Sequence, residues 1–369
     1  MVRLIAFYLP QFHPIPENDE WWGKGFTEWR NVVQAKPLFP GHYQPHLPAD
    51  LGFYDLRVPE TRQAQADLAR EYGIHGFCYY HYWFKGRRLL ERPFNEVLAS
   101  GQPDFPFCLC WANESWTRAW DGQSGVILMK QEYSEEDDYQ HIRWLISVFR
   151  DKRYIRYEGK PLFLVYRVRD LPNPLRTTEI WRTEARQAGI GELFLCRVEN
   201  NFPGERDDPR RWGFDAAVEF QPDISGFSHV LSRKNVVKNL FSRSNIAKRV
   251  YRAYQAKQTF HLFDYSNLLQ YALRKSVPSY KWFRCVVPRW DNSPRLRQGA
   301  HILNGSTPSE YEKWLTSIVR QSMQAGQGDN LVFINAWNEW AEGNHLEPDI
   351  KYGKAYLEAT KRALQRNLV

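Results

Sequence analysis

The chain has 369 residues, of which 43% are hydrophobic and 25% are charged, so it can bury a large core and does not have the composition of a disordered protein. Its net charge of +8 arises from one segment, 224–263, which carries eight bases and no acid. A general affinity for nucleic acid is therefore not indicated. Aromatic residues make up 15% of the chain, with 15 Trp, which indicates either an aromatic-rich core or contact surfaces of the kind that bind carbohydrate.

The cysteines predict a reducing compartment. All five lie in apolar, strand-like runs, and they lack the even number and CxxC spacing of disulfide or zinc sites: Cys78, Cys108, Cys110, Cys196 and Cys285. The N-terminal residues enter a strand without a signal-peptide pattern, and no apolar run reaches the roughly 20 residues that span a bilayer. We therefore expect a cytoplasmic protein.

Short apolar runs alternate with segments of helical period along the whole chain. Strands are predicted at 3–9, 74–80, 107–112, 162–166, 193–198, 216–220, 285–288 and 331–336, and helices at 59–72, 89–99, 135–150, 178–188, 265–275, 308–323 and 353–367. The strands are continuously apolar, as expected when both faces of a sheet are covered. Eight such units predict a single α/β domain over 1–369, a (β/α)8 TIM barrel with long aromatic loops and a basic insertion at 224–263. A doubly wound sheet is less favoured, because no glycine-rich phosphate loop follows a strand.

Polar and aromatic residues follow nearly every predicted strand. Successive strand ends carry Gln11 and His13, then Tyr79-Tyr-His-Tyr-Trp83, Trp111-Ala-Asn-Glu-Ser-Trp116, Glu199-Asn-Asn201, Glu219 with Gln221, and Arg289-Trp-Asp-Asn292. The last strand leads into Ala336-Trp-Asn-Glu-Trp-Ala-Glu-Gly343. Because the active site of a (β/α)8 barrel lies at the C-terminal ends of its strands, this distribution favours an enzyme.

Two long connections interrupt the regular pattern. The connection at 13–50 is rich in aromatic residues and proline, so we expect it to fold over the barrel mouth and help to wall a groove. The basic segment at 224–263 is either a solvated helix or a docking surface for an anionic membrane or a lipid-linked glycan. Nucleic-acid binding is a third alternative for this segment, but no nucleic-acid-binding motif supports it.

Glu339 and Glu342 are the predicted catalytic residues. Two carboxylates three residues apart, flanked by Trp337 and Trp340, form a plausible acid/base pair for cleaving a glycosidic bond. In a helical turn they would share one face, and burial by the two indoles would raise one pKa while the other group stays ionised. The alternative is a pair of solvated acids at a helix N-terminus.

The other candidates are substrate-binding residues. Glu114 is a rival catalytic carboxylate, a ligand for sugar hydroxyls or a charge partner of Arg118, and Glu219 is expected to bind hydroxyls or to orient a neighbour. His13 and His81 are either sugar ligands or structural histidines. The full predicted binding set is His13, Trp22, Tyr80, His81, Tyr82, Trp83, Trp111, Asn113, Glu114, Trp116, Glu219, Trp290, Asp291, Asn292, Trp337, Asn338 and Trp340. The sequence offers no HExxH or clustered Cys for zinc, no G-x-S-x-G nucleophile elbow, and no sign of a cofactor.

These motifs carry a resemblance to a known family. The stretch Pro10–Trp29, Tyr79-Tyr-His-Tyr-Trp83, Trp111–Arg118, Trp290-Asp-Asn292 and Trp337–Gly343 resemble the WbsX-type domain, which is related to glycoside hydrolase family 99 and is often encoded among bacterial surface-polysaccharide genes. The resemblance runs from about residue 3 to 365. It implies a metal-independent (β/α)8 fold and a retaining reaction in which Glu339 deprotonates the 2-hydroxyl of the substrate, to give a 1,2-anhydro sugar, and Glu342 is the general acid/base.

Three functions are therefore compared. The first is a cytoplasmic retaining glycosidase that acts on a bacterial surface polysaccharide, of the O-antigen or capsule type, or on its biosynthetic intermediate. The second is a glycosyltransferase of polysaccharide assembly, which the genomic context of the WbsX group suggests but which lacks a DxD metal motif here. The third, a carbohydrate-binding module without catalysis, is disfavoured because both glutamates are present.

Overall fold

Eight parallel strands form the centre of the computed structural model, which describes residues 2–118, 123–199, 206–223, 260–296, 298–325 and 330–366. They are β1 (Val2–Tyr8), β2 (Ile74–Phe84), β3 (Phe107–Trp111), β4 (Lys160–Val165), β5 (Phe194–Glu199), β6 (Ala216–Glu219), β7 (Trp282–Val286) and β8 (Asn330–Ile334). Each strand pairs with the next along the chain except for β8, which pairs with β7 and β1. The sheet therefore closes into a (β/α)8 barrel, and all eight predicted strands are confirmed.

The helices lie between the strands or over the barrel mouth. They are α1 (Pro16–Trp22), α2 (Glu28–Gln34), α3 (Pro59–Glu71), α4 (Arg92–Ser100), α5 (Glu135–Phe149), α6 (Pro174–Gln187), α7 (Tyr265–Leu273), α8 (Pro308–Ala325) and α9 (Ala355–Gln365). Local chemistry explains where several begin. Pro59 and Pro174 occupy first-turn positions, where the missing N–H costs nothing, and the Ser134 hydroxyl accepts the Asp137 N–H at the start of α5.

Short additional strands shape the C-terminal mouth of the barrel. Trp116–Arg118 and Gln123–Met129 form an antiparallel hairpin after β3. Phe260–Asp264, Ala300–Asn304 and Trp290–Asp291 form a second small sheet near the end of β7. Asn338–Glu339 pairs with Asn344–His345 after β8. The remaining short strands of the described residues, Arg87–Leu89 and Arg156–Tyr157, pair antiparallel with β2 and β4, respectively.

Strand β2 shows how alternation sorts the residues of one motif between two environments. Tyr79, His81 and Trp83 contact Phe94 of α4 or the rings of α5, so they face the helical layer. Tyr80 instead stacks on Phe7 of β1 inside the barrel. Because side chains of a strand point alternately to its two faces, a contiguous aromatic motif cannot deliver all its rings to one site.

The sequence predictions for cysteine and for membrane crossing can be compared with the described residues. All five cysteines are buried and free, as predicted. In the described part of the chain, no helix is both long and apolar enough to cross a membrane. The predicted basic insertion at 224–263 lies outside the described residues except for 260–263, which belong to the strand Phe260–Asp264.

Candidate active site

A cleft of about 400 Å³ opens at the C-terminal mouth of the barrel. Both predicted catalytic glutamates lie in it, together with residues of α1, the hairpin after β3 and the ends of several barrel strands. The lining residues are Leu9, Gln11, Asn18, Trp22, Tyr80, Tyr82, Ala112, Glu114, Ser115, Trp116, Thr117, Leu128, Tyr166, Phe220, Trp290, Arg295, Glu339 and Glu342. The predicted contribution of the 13–50 connection to the wall of the groove is confirmed, since Asn18 and Trp22 belong to it.

Tyr80 of β2 and the residues that follow β4 and β6, Tyr166 and Phe220, form the floor of the cleft, and Phe7 of β1 packs against it. Phe7 is buried, and its ring lies 5.6 Å from those of Tyr80 and Phe220. Tyr166 packs edge-on against both Tyr80 and Phe220. Inward-facing residues at the same height of a (β/α)8 barrel stack in layers, so this layer closes the barrel and leaves three aromatic faces towards the cleft.

The two glutamates are held by the connection that follows β8. Residues Trp340–Glu342 form one turn of 3-10 helix, with Glu339 at its N-cap, so the predicted helical turn is present as the tighter 3-10 form. Gly343 ends the turn with φ 58°, and a Cβ atom there would lie 3.0 Å from the Cβ of Asp291. Glycine is thus required both by the left-handed backbone and by the close approach of the neighbouring loop.

Arg295 links both glutamates to a third carboxylate. Its Nη2 donates to Glu339 Oε2 at 2.8 Å and its Nη1 lies 2.7 Å from Glu342 Oε1. Its Nε lies 3.3 Å from Oε2 of the fully buried Glu28 in α2. One guanidinium therefore faces three carboxyl groups.

Burial dominates the electrostatics of this cluster. It raises the pKa of Glu342 to about 8 against the opposing charge of Arg295, and the nearby Glu339 and Glu28 raise it further. Burial also raises the pKa of Glu339, and Arg295 lowers it. About 7% of the Glu339 side chain is exposed and about 21% of that of Glu342. Glu342 is thus the group that reaches solvent and holds a proton near neutral pH.

Asp291 and Asn292 support the loop that carries Arg295, and their predicted role as lining residues is wrong. Asp291 accepts hydrogen bonds from His42 Nε2 at 2.7 Å and Gln44 Nε2 at 2.6 Å. Asn292 Oδ1 accepts the His301 N–H at 2.7 Å, and its carbonyl accepts the Arg295 N–H. The Asp291 carboxylate and the Asn292 side-chain oxygen thus accept hydrogen bonds from the protein, and the neighbouring Trp290 provides the cleft surface.

Trp337 and Trp340 do not wall the cleft, so that prediction is also wrong. The ring of Trp337 is fully buried and packs against Phe77. Trp340 stacks on His345 and donates Nε1–H to Glu347 Oε2 at 2.6 Å. The turn that brings Glu339 and Glu342 to the cleft points the intervening and preceding indoles into the protein.

Three further predictions fail because of strand alternation. His81, Trp83 and Trp111 face α5, where His81 Nε2 lies 3.0 Å from His141 Nε2 and Trp83 stacks on the same imidazole. Burial lowers the pKa of His81 to about 3, so it is a neutral structural histidine. These residues hold helix α5 on the barrel.

Four other predicted binding residues are not among those that line the cleft: His13, which is buried, and Asn113, Glu219 and Asn338, which contact other parts of the protein. Burial lowers the pKa of His13 to about 4. Asn113 exchanges two hydrogen bonds with the backbone of Arg167, and Asn338 does the same with Leu9. Burial alone would raise the pKa of Glu219, but ion pairs with Lys275 and Arg284 hold it below its ordinary value.

Glu114 lies in the cleft with a partner other than the predicted Arg118. Its Oε1 lies 2.9 Å from Arg167 Nε, and 44% of its side chain is exposed. Arg118 instead lies over the ring of Trp22. Trp22, Tyr80, Tyr82, Trp116 and Trp290 line the cleft as predicted in position, and their role in binding stays a prediction.

A second buried cluster has the residue types of a metal site. His46, His345 and Asp349 place potential ligand atoms within 4.8 Å of one another. Arg289 already contacts this cluster, because its Nη1 donates to Asp349 Oδ2 at 2.5 Å and its Nη2 lies 3.1 Å from His345 Nε2. A guanidinium thus neutralises the carboxylate, and His345 Nδ1 is engaged by the Glu347 carbonyl. The contacts fit a hydrogen-bonded scaffold behind Trp340 better than a cation site.

Sequence reasoning missed Arg295, Glu28, Asn18, Gln11, Tyr166 and Phe220 among the residues of the site. Tyr166 and Phe220 are the last residues of two correctly predicted strands, so their position was a usable signal. Gln11 was noted as a strand-end residue but was left out of the binding set. Glu28 lies in α2 and Arg295 in a loop, and both segments lie over the barrel mouth. No local sequence pattern indicates that they approach the end of β8.

The chain is similar to one family model and to two curated proteins. The family model described as "Glycosyltransferase WbsX" matches residues 4–360. Two proteins named "Uncharacterized protein WxcX", from Xanthomonas campestris pv. campestris strains B100 and ATCC 33913, are each 46% identical over 364 residues, which is 98% of this chain and 50% of the relative. The chain thus spans about half the length of the curated relatives it matches.

Solved structures share the fold at low identity. The GH99 endo-α-mannosidase from Bacteroides thetaiotaomicron in complex with bis-tris propane is 12% identical, with a TM-score of 0.55 and coverage of 99% of this chain and 97% of that one. A second structure of that enzyme gives 14% identity, a TM-score of 0.54 and the same coverage. A "glycoside hydrolase-like protein" gives 14%, 0.58 and coverage of 98% and 93%.

Proposed function

The chain belongs to the WbsX family, and we propose that it is a retaining glycoside hydrolase acting on a bacterial surface polysaccharide, of the O-antigen or capsule type, or on a biosynthetic intermediate of one. The observation that carries the proposal is the pair Glu339 and Glu342 at the base of an aromatic cleft, joined through one guanidinium. The pKa of Glu342 at about 8 provides a protonated acid at neutral pH.

The proposed reaction uses the two glutamates in separate roles. Glu339 takes the proton of the substrate 2-hydroxyl, O2 attacks C1, and the leaving oxygen receives the proton of Glu342 as the glycosidic bond breaks. Glu342, now ionised, takes a proton from water, which attacks C1 of the 1,2-anhydro sugar, and O2 recovers its proton from Glu339. Two inversions at C1 give net retention. Arg295 contacts both carboxyl groups, at 2.8 and 2.7 Å, so the base and the general acid lie next to each other.

The walls of the cleft suit a sugar chain. Trp22, Trp116 and Trp290 offer indole rings, and the phenols of Tyr80, Tyr82 and Tyr166 combine an aromatic face with a hydrogen-bonding group. Such surfaces pack on the apolar faces of pyranose rings while polar groups contact hydroxyls. A volume of about 400 Å³ admits a small number of sugar units.

Glycosyl transfer is the second candidate, because the matching family carries that description. A nucleotide-sugar donor would bring a diphosphate, which proteins bind with cations or helix N-termini. Arg295 is the one cationic side chain among the described residues that line the cleft, and it already contacts three carboxyl groups. This arrangement favours hydrolysis, or transfer from a neutral glycan donor to a second hydroxyl, over a nucleotide-sugar donor.

The proposal is tested with purified surface polysaccharides and α-mannan as substrates and mass spectrometry of the products. In H₂¹⁸O, a hydrolase adds one ¹⁸O to each new reducing end, and early NMR spectra report whether the anomeric configuration is retained. Products that carry an added acceptor without ¹⁸O would establish transfer. Release of a nucleoside diphosphate from a nucleotide sugar, with no cleavage of any glycan, would contradict the proposal.

Binding of a cation gives a test that needs no knowledge of the substrate. One structural neighbour was solved with the amine bis-tris propane, and the three carboxyl groups around Arg295 outnumber that single guanidinium. We expect bis-tris propane to raise the melting temperature of this chain at pH 8 and to have less effect on the Glu339→Gln variant. Equal shifts in both proteins would place the amine outside the cleft.

A further inference from the structure

Arg295 contacts each of three carboxyl groups through a different nitrogen. Nη2 faces Glu339, Nη1 faces Glu342, and Nε faces Glu28 at 2.8, 2.7 and 3.3 Å. Glu28 is fully buried and the side chain of Arg295 is 12% exposed, so water screens these charges weakly. A guanidinium has a planar fork of donors, which fixes the relative positions of the groups it binds.

Three phenols that face the cluster are neutral near pH 7. The phenols of Tyr80 and Tyr82, on β2, interact electrostatically with Glu339. The phenol of Tyr166, at the end of β4, interacts in the same way with Glu342. Burial raises the pKa of all three phenols well above the ordinary value. Asp291, on the loop of Arg295, is engaged by His42 and Gln44. The charge balance at Glu339 and Glu342 therefore depends mainly on Arg295 and Glu28.

We propose that Arg295 and Glu28 form a positioning pair that divides one proton unequally between the two catalytic glutamates; this inference rests on the proposed function. Arg295 holds both side chains at a fixed spacing and stabilises the ionised form of Glu339. Glu28 takes up part of the charge of Arg295, so that Glu342 keeps its proton. Neither Arg295 nor Glu28 exchanges a proton with the substrate.

The two members of the pair have opposite effects on the pH profile. Without the charge of Arg295, both catalytic carboxyl groups ionise at higher pH. Arg295→Gln therefore shifts the acid limb of the kcat/KM profile to higher pH. Without the charge of Glu28, Arg295 stabilises the ionised forms of Glu339 and Glu342 more strongly. Glu28→Gln therefore shifts the alkaline limb of the profile to lower pH. We expect displacements of at least about one pH unit, which is a tenfold change of kcat/KM on the affected limb.

Three further variants separate charge from structure. Arg295→Lys keeps a cation and should restore the wild-type limbs in part, although its lower kcat would report the lost fork geometry. The double variant Glu28→Gln/Arg295→Gln removes one charge of each sign and should return both limbs towards the wild-type values. Glu179→Gln removes an exposed carboxylate of α6 that pairs with Arg176 and does not line the cleft, and it should leave both limbs in place.

The same titrations are followed without substrate by ¹³C NMR of protein labelled at the glutamate carboxyl carbons, with Glu28→Gln, Glu339→Gln and Glu342→Gln used for assignment. Opposite shifts in the Arg295→Gln and Glu28→Gln proteins support the positioning pair. Shifts of the same sign, or none in folded variants, overturn it. The NMR result stands even if no glycan is cleaved, so failure of the pair and failure of the proposed hydrolysis are distinguishable.

Discussion

The indole of Trp340 stacks on the imidazole of His345 with ring centroids 3.6 Å apart and an angle of 16° between the rings. Its other neighbours are Trp29 and the carboxylate of Glu347, which accepts its Nε1–H. Trp340 therefore anchors the turn between Glu339 and Glu342, the two proposed catalytic residues, to the protein interior, and it offers no face to a sugar.

Replacing Trp340 by Ala should destabilise the protein and lower its activity for that reason. A fully buried Trp→Ala substitution costs about 3–5 kcal/mol through lost contacts and the cavity that remains. Chemical denaturation measures the loss. Trp22→Ala is the matched control, because Trp22 is partly exposed in the cleft wall and its loss should raise KM with little change in the free energy of unfolding. A stable Trp340→Ala protein with a raised KM would show that the residue binds substrate.

The two glutamates should respond differently to the leaving group. Glu342→Gln removes the acid of the first step and the base of the second, so we expect hydrolysis of a natural glycan to fall about 10²- to 10⁴-fold. The release of an acidic phenol from an aryl glycoside, which needs no proton, should fall much less. Glu339→Gln removes the base and should abolish the cleavage of both substrates. Steady-state kinetics on the two substrates measure this difference. Equal losses on both substrates in both variants would contradict the separate roles.

The fold was predictable because its signals are local. Continuous apolar runs such as 162–166 and 193–198 mark strands covered on both faces, and the segments between them have helical period. Proline at positions 59 and 308 marks helix starts. Eight repeats of strand and helix then leave few topologies, because parallel neighbours need right-handed crossovers.

The site was predictable only in part, because side-chain direction and loop approach depend on tertiary structure. Glu339 and Glu342 follow a strand directly and were found. His81 and Trp83 belong to the same strand as Tyr80 and Tyr82 but face away from the cleft, a difference that the contiguous motif alone does not indicate. Arg295 belongs to a loop whose path is set by the hydrogen bonds of Asp291 and Asn292, which no local pattern encodes.

Glu342 should also reveal itself through the pH dependence of stability. Its folded-state pKa of about 8 lies above the unfolded value of about 4.3, so the folded protein holds a proton that the unfolded chain releases between these values. This group therefore opposes folding increasingly as the pH rises from about 4 to 8. We expect Glu342→Gln to be more stable than the wild type by about 2 kcal/mol near pH 8 and almost equal to it near pH 4.

Urea denaturation of both proteins at several pH values checks this prediction, and Glu179→Gln, whose side chain is 64% exposed on α6, serves as control. A Glu342→Gln protein that is less stable at pH 8 than at pH 4, relative to the wild type, would show that the ion pair with Arg295 outweighs the cost of burial.

Two buried asparagines should give opposite results when each is replaced by Ala. The amide of Asn18 lies in the cleft wall, and neither of its polar atoms has a hydrogen-bond partner among the described residues. Removing it should leave stability unchanged or higher, whereas a lost hydrogen bond to a sugar hydroxyl should raise KM roughly five- to tenfold, or about 1–1.4 kcal/mol. Asn338, whose amide binds both the N–H and the carbonyl of Leu9, should instead lose about 1–3 kcal/mol of stability. Thermal and chemical denaturation combined with KM measurements separate the two effects, and an Asn18→Ala protein that is destabilised with an unchanged KM would assign that amide to the scaffold.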